Sequence, residues 1–227
     1  EEAVNRIRVY LRVRPAKKNE INEAEGQGYL MNVQPDNKNV LLEGGKSYNF
    51  DYIFDGSGVK QEDMYQMIAV PVVKNVFKGY WGSMMVYGQT GTGKSFTMCN
   101  FEKGQEGIIP RTMQGMFQNI EEDPDRVYTI SFSFIQIYLD RLQDLFNPTA
   151  TAELKLTRDK NGVSFPGIVE HTCTDYAHFQ ELYDSGNQHR VITATKMNPE
   201  SSRGHAALFM QVKSVPRDDP SGENRSG

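Results

Sequence analysis

The chain has 227 residues, 38% hydrophobic and 24% charged, a mixture typical of a folded protein with one sizeable core. Its formal net charge of −4 argues against a surface that binds nucleic acid or acidic lipid throughout, so we expect no nucleic-acid partner. No run of about 18 apolar residues predicts membrane insertion, and the first residues lack a signal-peptide pattern. Cys99 and Cys173 favour two free thiols in an intracellular protein over a disulfide scaffold.

The first sixty residues show mostly strand-like patterns. Apolar and polar residues alternate over residues 6–14, which predicts a strand that Pro15 ends. Residues 16–46 are polar and predict loops around a small hairpin at residues 40–42. Aromatic side chains at every second position predict another short strand over residues 48–54.

The centre of the chain combines a helical pattern with a glycine-rich loop. Apolar residues at helical spacing predict a helix over residues 61–77, which Pro71 should kink or split. Residues 83–87 form a short apolar run before the glycine-rich loop, which suits a strand buried on both faces. A further helix should begin at Lys94.

The second half alternates strands with one clear helix. Thr174 or Asp175 is the predicted N-cap of a helix that reaches about Ser185, with Gly186 as its stop. The other predicted segments are two strands and a polar loop or tail: residues 127–138, 206–215 and 216–227. Alternating strands and helices along the chain predict an α/β protein with one central sheet.

The glycine-rich loop, residues 88–95, matches the phosphate-loop pattern G-x-x-x-x-G-K-S/T. Its glycines let backbone N–H groups approach phosphate oxygens, and the following helix points its positive end at the same place. Lys94 would bind the β and γ phosphates, and Ser95 would offer its hydroxyl to Mg²⁺. A chance match is expected in about one chain in a hundred of this length. The predicted nucleotide-binding residues here are Gly88, Gln89, Thr90, Gly91, Thr92, Gly93, Lys94 and Ser95.

A second polar segment, residues 198–205, lies just before a predicted strand. Alone, such a segment is usually a surface connection. Beside a phosphate loop it can be the mobile segment that senses the γ phosphate and completes the metal shell. Ser201 and Ser202 could do both, and Arg203 could hold the segment to an acidic partner.

Together, these motifs resemble the N-terminal two thirds of a kinesin motor domain. Residues 12–15 read R-V-R-P, residues 107–111 read G-I-I-P-R, and residues 198–205 are similar to the family's switch I pattern N-x-x-S-S-R-S-H. The resemblance implies a phosphate-loop NTPase fold, with a mixed, mainly parallel central sheet and helices on both faces. It also implies one motor domain over residues 1–227, incomplete at its C-terminal end.

The resemblance assigns a base-binding role to four residues. Arg12, Arg14 and Pro15 would line the adenine pocket, and Phe96 would stack on the base. Two alternatives stay open at this point. Both arginines could be solvated residues on the open face of a strand, and Phe96 could be a core residue.

Further roles follow from the similarity to switch I. Asn198 would belong to the nucleotide-binding set, and Ser201 would contact the γ phosphate. Ser202 would join Ser95 at the Mg²⁺ ion, and Arg203 would latch onto an acidic residue of a second switch. The predicted catalytic residues are therefore Lys94, Ser201, Ser202 and Arg203.

Two features depart from the family pattern. Gly204 stands where the family usually has serine, and residues 136–140 read Q-I-Y-L-D in place of E-I-Y-N-E. A glycine would loosen the backbone by about 0.5–1 kcal/mol, which predicts weaker switch closure and slower hydrolysis. The second-switch motif D-x-x-G-x-E does not occur in the 227 residues, so we expect a fragment or a longer protein.

The leading hypothesis is a cytoplasmic, cytoskeletal motor that binds ATP or ADP with Mg²⁺ and moves along microtubules built of tubulin, oligomerising through segments not present here. The alternative is a non-motile, kinesin-like module that binds nucleotide and microtubules with little ATP turnover. A third hypothesis, an unrelated phosphate-loop kinase or GTPase, is disfavoured because no N/T-K-x-D base-reading motif occurs.

Overall fold

A computed structural model describes residues 6–16, 31–56, 58–150, 153–159, 162–190, 204–218 and 225–226. The chain divides into two compact units, Glu1–Met64 and Tyr65–Gly227. Both strands and helices are present, so the predicted α/β class is confirmed.

The first unit contains short strands around a small core of Val13, Val40 and Ile53. Its strands are β1 Tyr10–Arg12, β2 Met31–Val33, β3 Asn39–Leu42, β4 Ser47–Asn49 and β5 Tyr52–Phe54. β1 pairs in parallel with β5, whereas β2, β3 and β4 form an antiparallel sheet. The hairpin predicted around residues 40–42 is therefore confirmed. The strand predicted over residues 48–54 is wrong in extent, because it is interrupted between β4 and β5, which belong to different sheets.

Asp51, between β4 and β5, forms hydrogen bonds with the segment that precedes β1. Its carboxylate accepts hydrogen bonds from Arg6 Nη1 at 2.9 Å and from the Val9 N–H at 2.8 Å. Arg6 Nη2 donates to the other carboxylate oxygen. These bonds, the one from the Arg6 side chain first, lower the pKa of Asp51 to about 2, because they stabilise the charged carboxylate.

We expect Arg6→Gln to raise the pKa of Asp51 from about 2 towards the ordinary value of about 3.9. Since the folded pKa is depressed, this contact stabilises the fold above the unfolded-state pKa and stops doing so as the pH falls towards 2. NMR titration of the Asp51 carboxyl carbon measures the shift. Arg8→Gln is the control, because Arg8 acts on Asp51 only through its charge. Equal shifts in the two variants would contradict the assignment.

The predicted helix over residues 61–77 is present and is split. It consists of α1 Gln61–Met64, a π-helical turn Tyr65–Ala69 and α2 Val70–Phe77. Pro71 occupies the first turn of α2, where its missing N–H leaves no intrahelical bond unmade. The prediction that Pro71 divides this helix is confirmed.

The prediction of a buried strand at residues 83–87 is wrong for the part of the chain that the structure describes. This segment belongs to no strand there, and the side chains of Met85 and Tyr87 are 90% and 93% exposed. A strand needs a neighbouring backbone for its hydrogen bonds, and none of the described strands pairs with this segment. The apolar composition of residues 83–87 predicts burial, but it does not show whether a second strand lies alongside to pair with them.

The largest sheet lies in the second unit and is built on one long strand. Its members are β6 Arg126–Tyr138, β7 Arg141–Asp144, β10 His171–Cys173, β11 His205–Pro216 and β12 Arg225–Ser226. β6 pairs antiparallel with β7, β10 and the full length of β11. The strands predicted over residues 127–138 and 206–215 are confirmed. The hairpin of β8 Thr157–Asp159 and β9 Gly162–Ser164 is separate from this sheet.

Strand direction and the C-terminal segment both differ from expectation. Among the described strands, β1 and β5 form the single parallel pair, so a mainly parallel sheet is wrong for these residues. The reason is that a tight turn joins β6 to β7 and that β11 runs back along β6. The loop or tail predicted over residues 216–227 is wrong at Arg225–Ser226, which pairs with β11.

Helices pack against the large sheet. Besides α2, which contributes Val73 to the core, they are α3 Lys94–Cys99, α4 Ile108–Glu121 and α5 Tyr176–Gln188. Alternate residues of β6 point to one side of the strand and meet buried side chains of α4 and α5. The core contains Ile130, Phe132, Phe134, Met113, Met116, Phe179 and Tyr183.

Both ends of α5 test the helix prediction. Asp175 is the N-cap, since its Oδ1 accepts a hydrogen bond from the His178 N–H at 2.8 Å, as predicted. Gly186 as a helix stop is wrong, because α5 continues to Gln188. A Cβ at Gly186 would lie 2.9 Å from Phe134 Cδ1, so this glycine serves close packing of the helix on the sheet.

Candidate functional site

Residues 88–95 form a turn that leads into α3, as the phosphate-loop pattern predicts. Gly91 and Gly93 have φ angles of 84° and 98°, which side chains rarely adopt, so both positions require glycine. Thr92 closes the turn: its N–H donates to the Gln89 carbonyl at 3.3 Å and its Oγ1 donates to the same oxygen at 2.7 Å. The loop conformation therefore follows from its own residues.

Lys94 lies partly buried at the start of α3, against the loop. Its Nζ donates to the carbonyl oxygens of Gly88 and Gln89, each at 2.8 Å. Within the described part of the chain, the N–H groups of Gly91, Gly93 and Ser95 have no hydrogen-bond partner. An ammonium beside several available N–H donors suits an anion with many oxygens, such as a polyphosphate.

Ser95 and Phe96 follow the loop in the first turn of α3. Ser95 is exposed, so its hydroxyl is accessible to a hard cation such as Mg²⁺, which prefers oxygen ligands. The donor set at this loop thus fits both a phosphate chain and its metal. Phe96 is 41% exposed, which excludes the alternative that it is a core residue.

The predicted base-binding residues Arg12, Arg14 and Pro15 lie in the first unit. Arg12 Nη1 donates to Gln61 Oε1 at 2.7 Å, and burial lowers the pKa of Arg12. Arg14 Nη1 donates to the Pro15 carbonyl at 3.0 Å. Both arginines are partly buried, and the alternative that they are solvated residues on an open strand face stays open. Their role at a base stays a prediction.

The switch-like residues Asn198, Ser201, Ser202 and Arg203 lie outside the described residues, and their roles stay predictions. The described chain resumes at Gly204, directly before β11, and Gly204 is buried. The expectation that this glycine loosens the backbone stays a prediction; the structure adds that the Gln136 side chain fills the space beside it. The departures from the family pattern at residues 136–140 and at Gly204 are visible in the sequence, but the contact between Gln136 and Gly204 is not.

The two thiols take no part in this site. Cys99 and Cys173 are both free, as predicted. Burial, with a smaller effect of Asp175, raises the pKa of Cys173 to about 11, so its thiol stays protonated at neutral pH. The described residues contain no cluster of His, Cys, Asp and Glu able to hold a metal ion.

A glycine-rich loop that presents a lysine and a serine at the start of a helix, within an α/β fold, is the arrangement of the phosphate-loop NTPase fold.

Comparison with known proteins identifies the family to which the chain belongs. The family model for the kinesin motor domain matches residues 12–227. The chromosome-associated kinesin KIF4A of Homo sapiens is 31% identical over 228 residues, covering 97% of this chain and 18% of that protein. The kinesin-like protein KIN-UB of Oryza sativa subsp. japonica is 35% identical over 220 residues, covering 92% and 24%.

A solved structure of a fast kinesin, 32% identical, matches with a TM-score of 0.83 and covers 97% of this chain and 63% of its own. The chain belongs to the kinesin motor domain family. It spans about a fifth of the length of the curated relatives named here.

Proposed function

We propose that the protein is a microtubule-based motor that binds ATP with Mg²⁺ and hydrolyses it to move along microtubules. The observation that carries this proposal is the loop of residues 88–95, in which the Lys94 ammonium lies beside backbone N–H groups that have no hydrogen-bond partner. Membership of the kinesin family supports it. The solved fast kinesin is described in terms of its ATPase mechanism and its interactions with microtubules, which is further support.

The residues of this chain would act mainly by positioning and charge stabilisation. Lys94 and the loop N–H groups would hold the β and γ phosphates and stabilise the charge that develops during transfer. Ser95 and Ser202 would hold Mg²⁺, which neutralises charge on phosphate oxygens when bound. Ser201 would contact the γ phosphate, and Arg203 would hold its segment to an acidic partner.

Base recognition would belong to Arg12, Arg14, Pro15 and Phe96, with Asn198 completing the nucleotide-binding set. The exposed ring of Phe96 can offer a face to a purine. No N/T-K-x-D motif occurs within these 227 residues, which supports ATP rather than GTP as the proposed substrate.

The proposed partners are tubulin in microtubules and ATP, and the proposed location is the cytoplasmic cytoskeleton. We place the whole of residues 1–227 in one motor domain. Among the described residues, no helix has both the length and the apolar character needed to cross a membrane. The acidic net charge supports the absence of a nucleic-acid partner.

A second candidate is a non-motile kinesin-like module that binds nucleotide and microtubules with little turnover. The observation that favours it is Gly204, where the family usually has serine. Both candidates share the same phosphate loop, so they differ in the rate of hydrolysis and not in binding.

Steady-state ATP turnover by the complete protein, with and without microtubules, separates the two candidates. We expect microtubules to raise turnover strongly, into the range of about 1–10³ s⁻¹ common to enzymes. A parallel binding measurement should show preference for ATP over GTP. Bound ATP without any stimulation would favour the non-motile module, and preference for GTP would contradict both.

A further inference from the structure

The interior of the large sheet contains a polar side chain directly beside a glycine. Gln136 lies on β6, is 0% exposed, and pairs across the sheet with Ala206 of β11. Gly204 precedes Ala206 by two positions. A Cβ at Gly204 would lie 2.2 Å from Gln136 Nε2, 3.0 Å from its Cδ and 3.1 Å from its Cγ. Three atoms of the glutamine therefore fill the space of a side chain at position 204.

Side-chain space, and not backbone conformation, explains the glycine here. The φ angle of Gly204 lies outside the left-handed region, so other residues could adopt this backbone. Gly91 shows the opposite case: its φ is 84°, and a Cβ there would meet nothing within 4 Å. A larger residue at position 204 would thus meet the Gln136 side chain first, and either that side chain or β11 would have to shift.

Gln136 has little room to move away. It is fully buried, and its neighbours Phe134 and Ile135 on β6 are buried as well. If a buried amide moves, its polar atoms lose hydrogen bonds while they remain buried, and this costs free energy. A side chain at position 204 would therefore displace β11 or force the glutamine into strain.

We propose that Gln136 and Gly204 form a packing pair in which the glutamine side chain occupies the side-chain space of position 204, and that Gln136 is a positioning residue that fixes where β11 begins. Gly204 is bonded covalently to Arg203, so the pair also fixes one end of the segment that carries Ser202. This catalytic part rests on the proposed function.

The packing is tested by thermal unfolding of the complete protein. Gly204→Ala should lower the melting temperature by about 3–10 °C, because it forces overpacking in a buried sheet. Gly58→Ala is the matched control, since Gly58 also has no left-handed φ and a Cβ there meets nothing within 4 Å. The effect of Gly204→Ala should fall to less than half in a Gln136→Ala background, where the space is open.

Turnover tests the positioning role at a temperature well below unfolding. Gly204→Ala should lower kcat for ATP by up to about 100-fold with a smaller change in KM, because a small displacement affects chemistry more than binding. In the Gln136→Ala background, Gly204→Ala should add no further loss of kcat. A Gly204→Ala variant as stable and active as Gly58→Ala would overturn the proposal, as would equal losses in both backgrounds. If the unaltered protein shows no turnover, the proposed function fails, while the unfolding comparison still decides the pairing.

Discussion

Lys94→Ala should lower ATP turnover by about 10²–10³-fold, the loss typical of removing one charge-stabilising donor from a reaction centre. Lys94 supplies the single full positive charge within residues 88–95, and its Nζ lies 2.8 Å from the Gly88 and Gln89 carbonyls. Without it, the loop would keep its glycine-dependent conformation but lose its attraction for the β and γ phosphates. Steady-state turnover and nucleotide titration of the complete protein measure the loss.

Lys103→Ala is the matched control for the loss of one lysine charge. Lys103 is exposed and lies between α3 and α4, outside the phosphate loop. It should leave turnover and nucleotide affinity unchanged. The melting temperature of both variants should stay close to that of the unaltered protein, because surface and loop substitutions change stability little. Full turnover in Lys94→Ala would show that this loop does not bind the reacting phosphates.

Phe179→Ala should destabilise the second unit by about 3–5 kcal/mol, a large part of the stability of an ordinary domain. Phe179 is fully buried in α5, with its ring centroid 5.1 Å from that of Phe132 and 6.0 Å from that of Tyr183. Truncation removes these contacts and leaves a cavity between the helix and the sheet. Thermal unfolding should show a decrease of roughly 6–20 °C.

Phe209→Ala provides the control for loss of a phenyl ring outside the contact between α5 and β6. Phe209 lies on β11, is partly exposed, and contacts Phe165 with ring centroids 5.2 Å apart. Its truncation should cost about 1 kcal/mol or less, since the site remains open to water. Equal losses for the two variants would show that the core is not centred on the contact between α5 and β6.

Features governed by neighbours in sequence were predictable. The loop of residues 88–95 was found from its pattern, because the left-handed glycines, the lysine and the helix start are local properties. The Asp175 cap and the Pro71 break likewise depend on bonds within one turn of helix. Long alternating runs identified β6 and β11, since period-two burial is visible in one strand.

The role of each small or apolar residue, by contrast, depended on partners distant in sequence. Gly186 has the composition of a helix stop, but Phe134 decides that it packs inside α5. Residues 83–87 have the composition of a buried strand, but a strand exists only where another backbone accepts its hydrogen bonds.

The sequence by itself therefore determined the family, the phosphate loop and most of the elements, because these depend on local spacing. The tertiary structure decided which strands pair and in which direction, and it decided that Gly204 belongs with Gln136. Contacts of this kind join residues almost seventy positions apart, and steric exclusion between two side chains leaves no periodic trace in a single sequence.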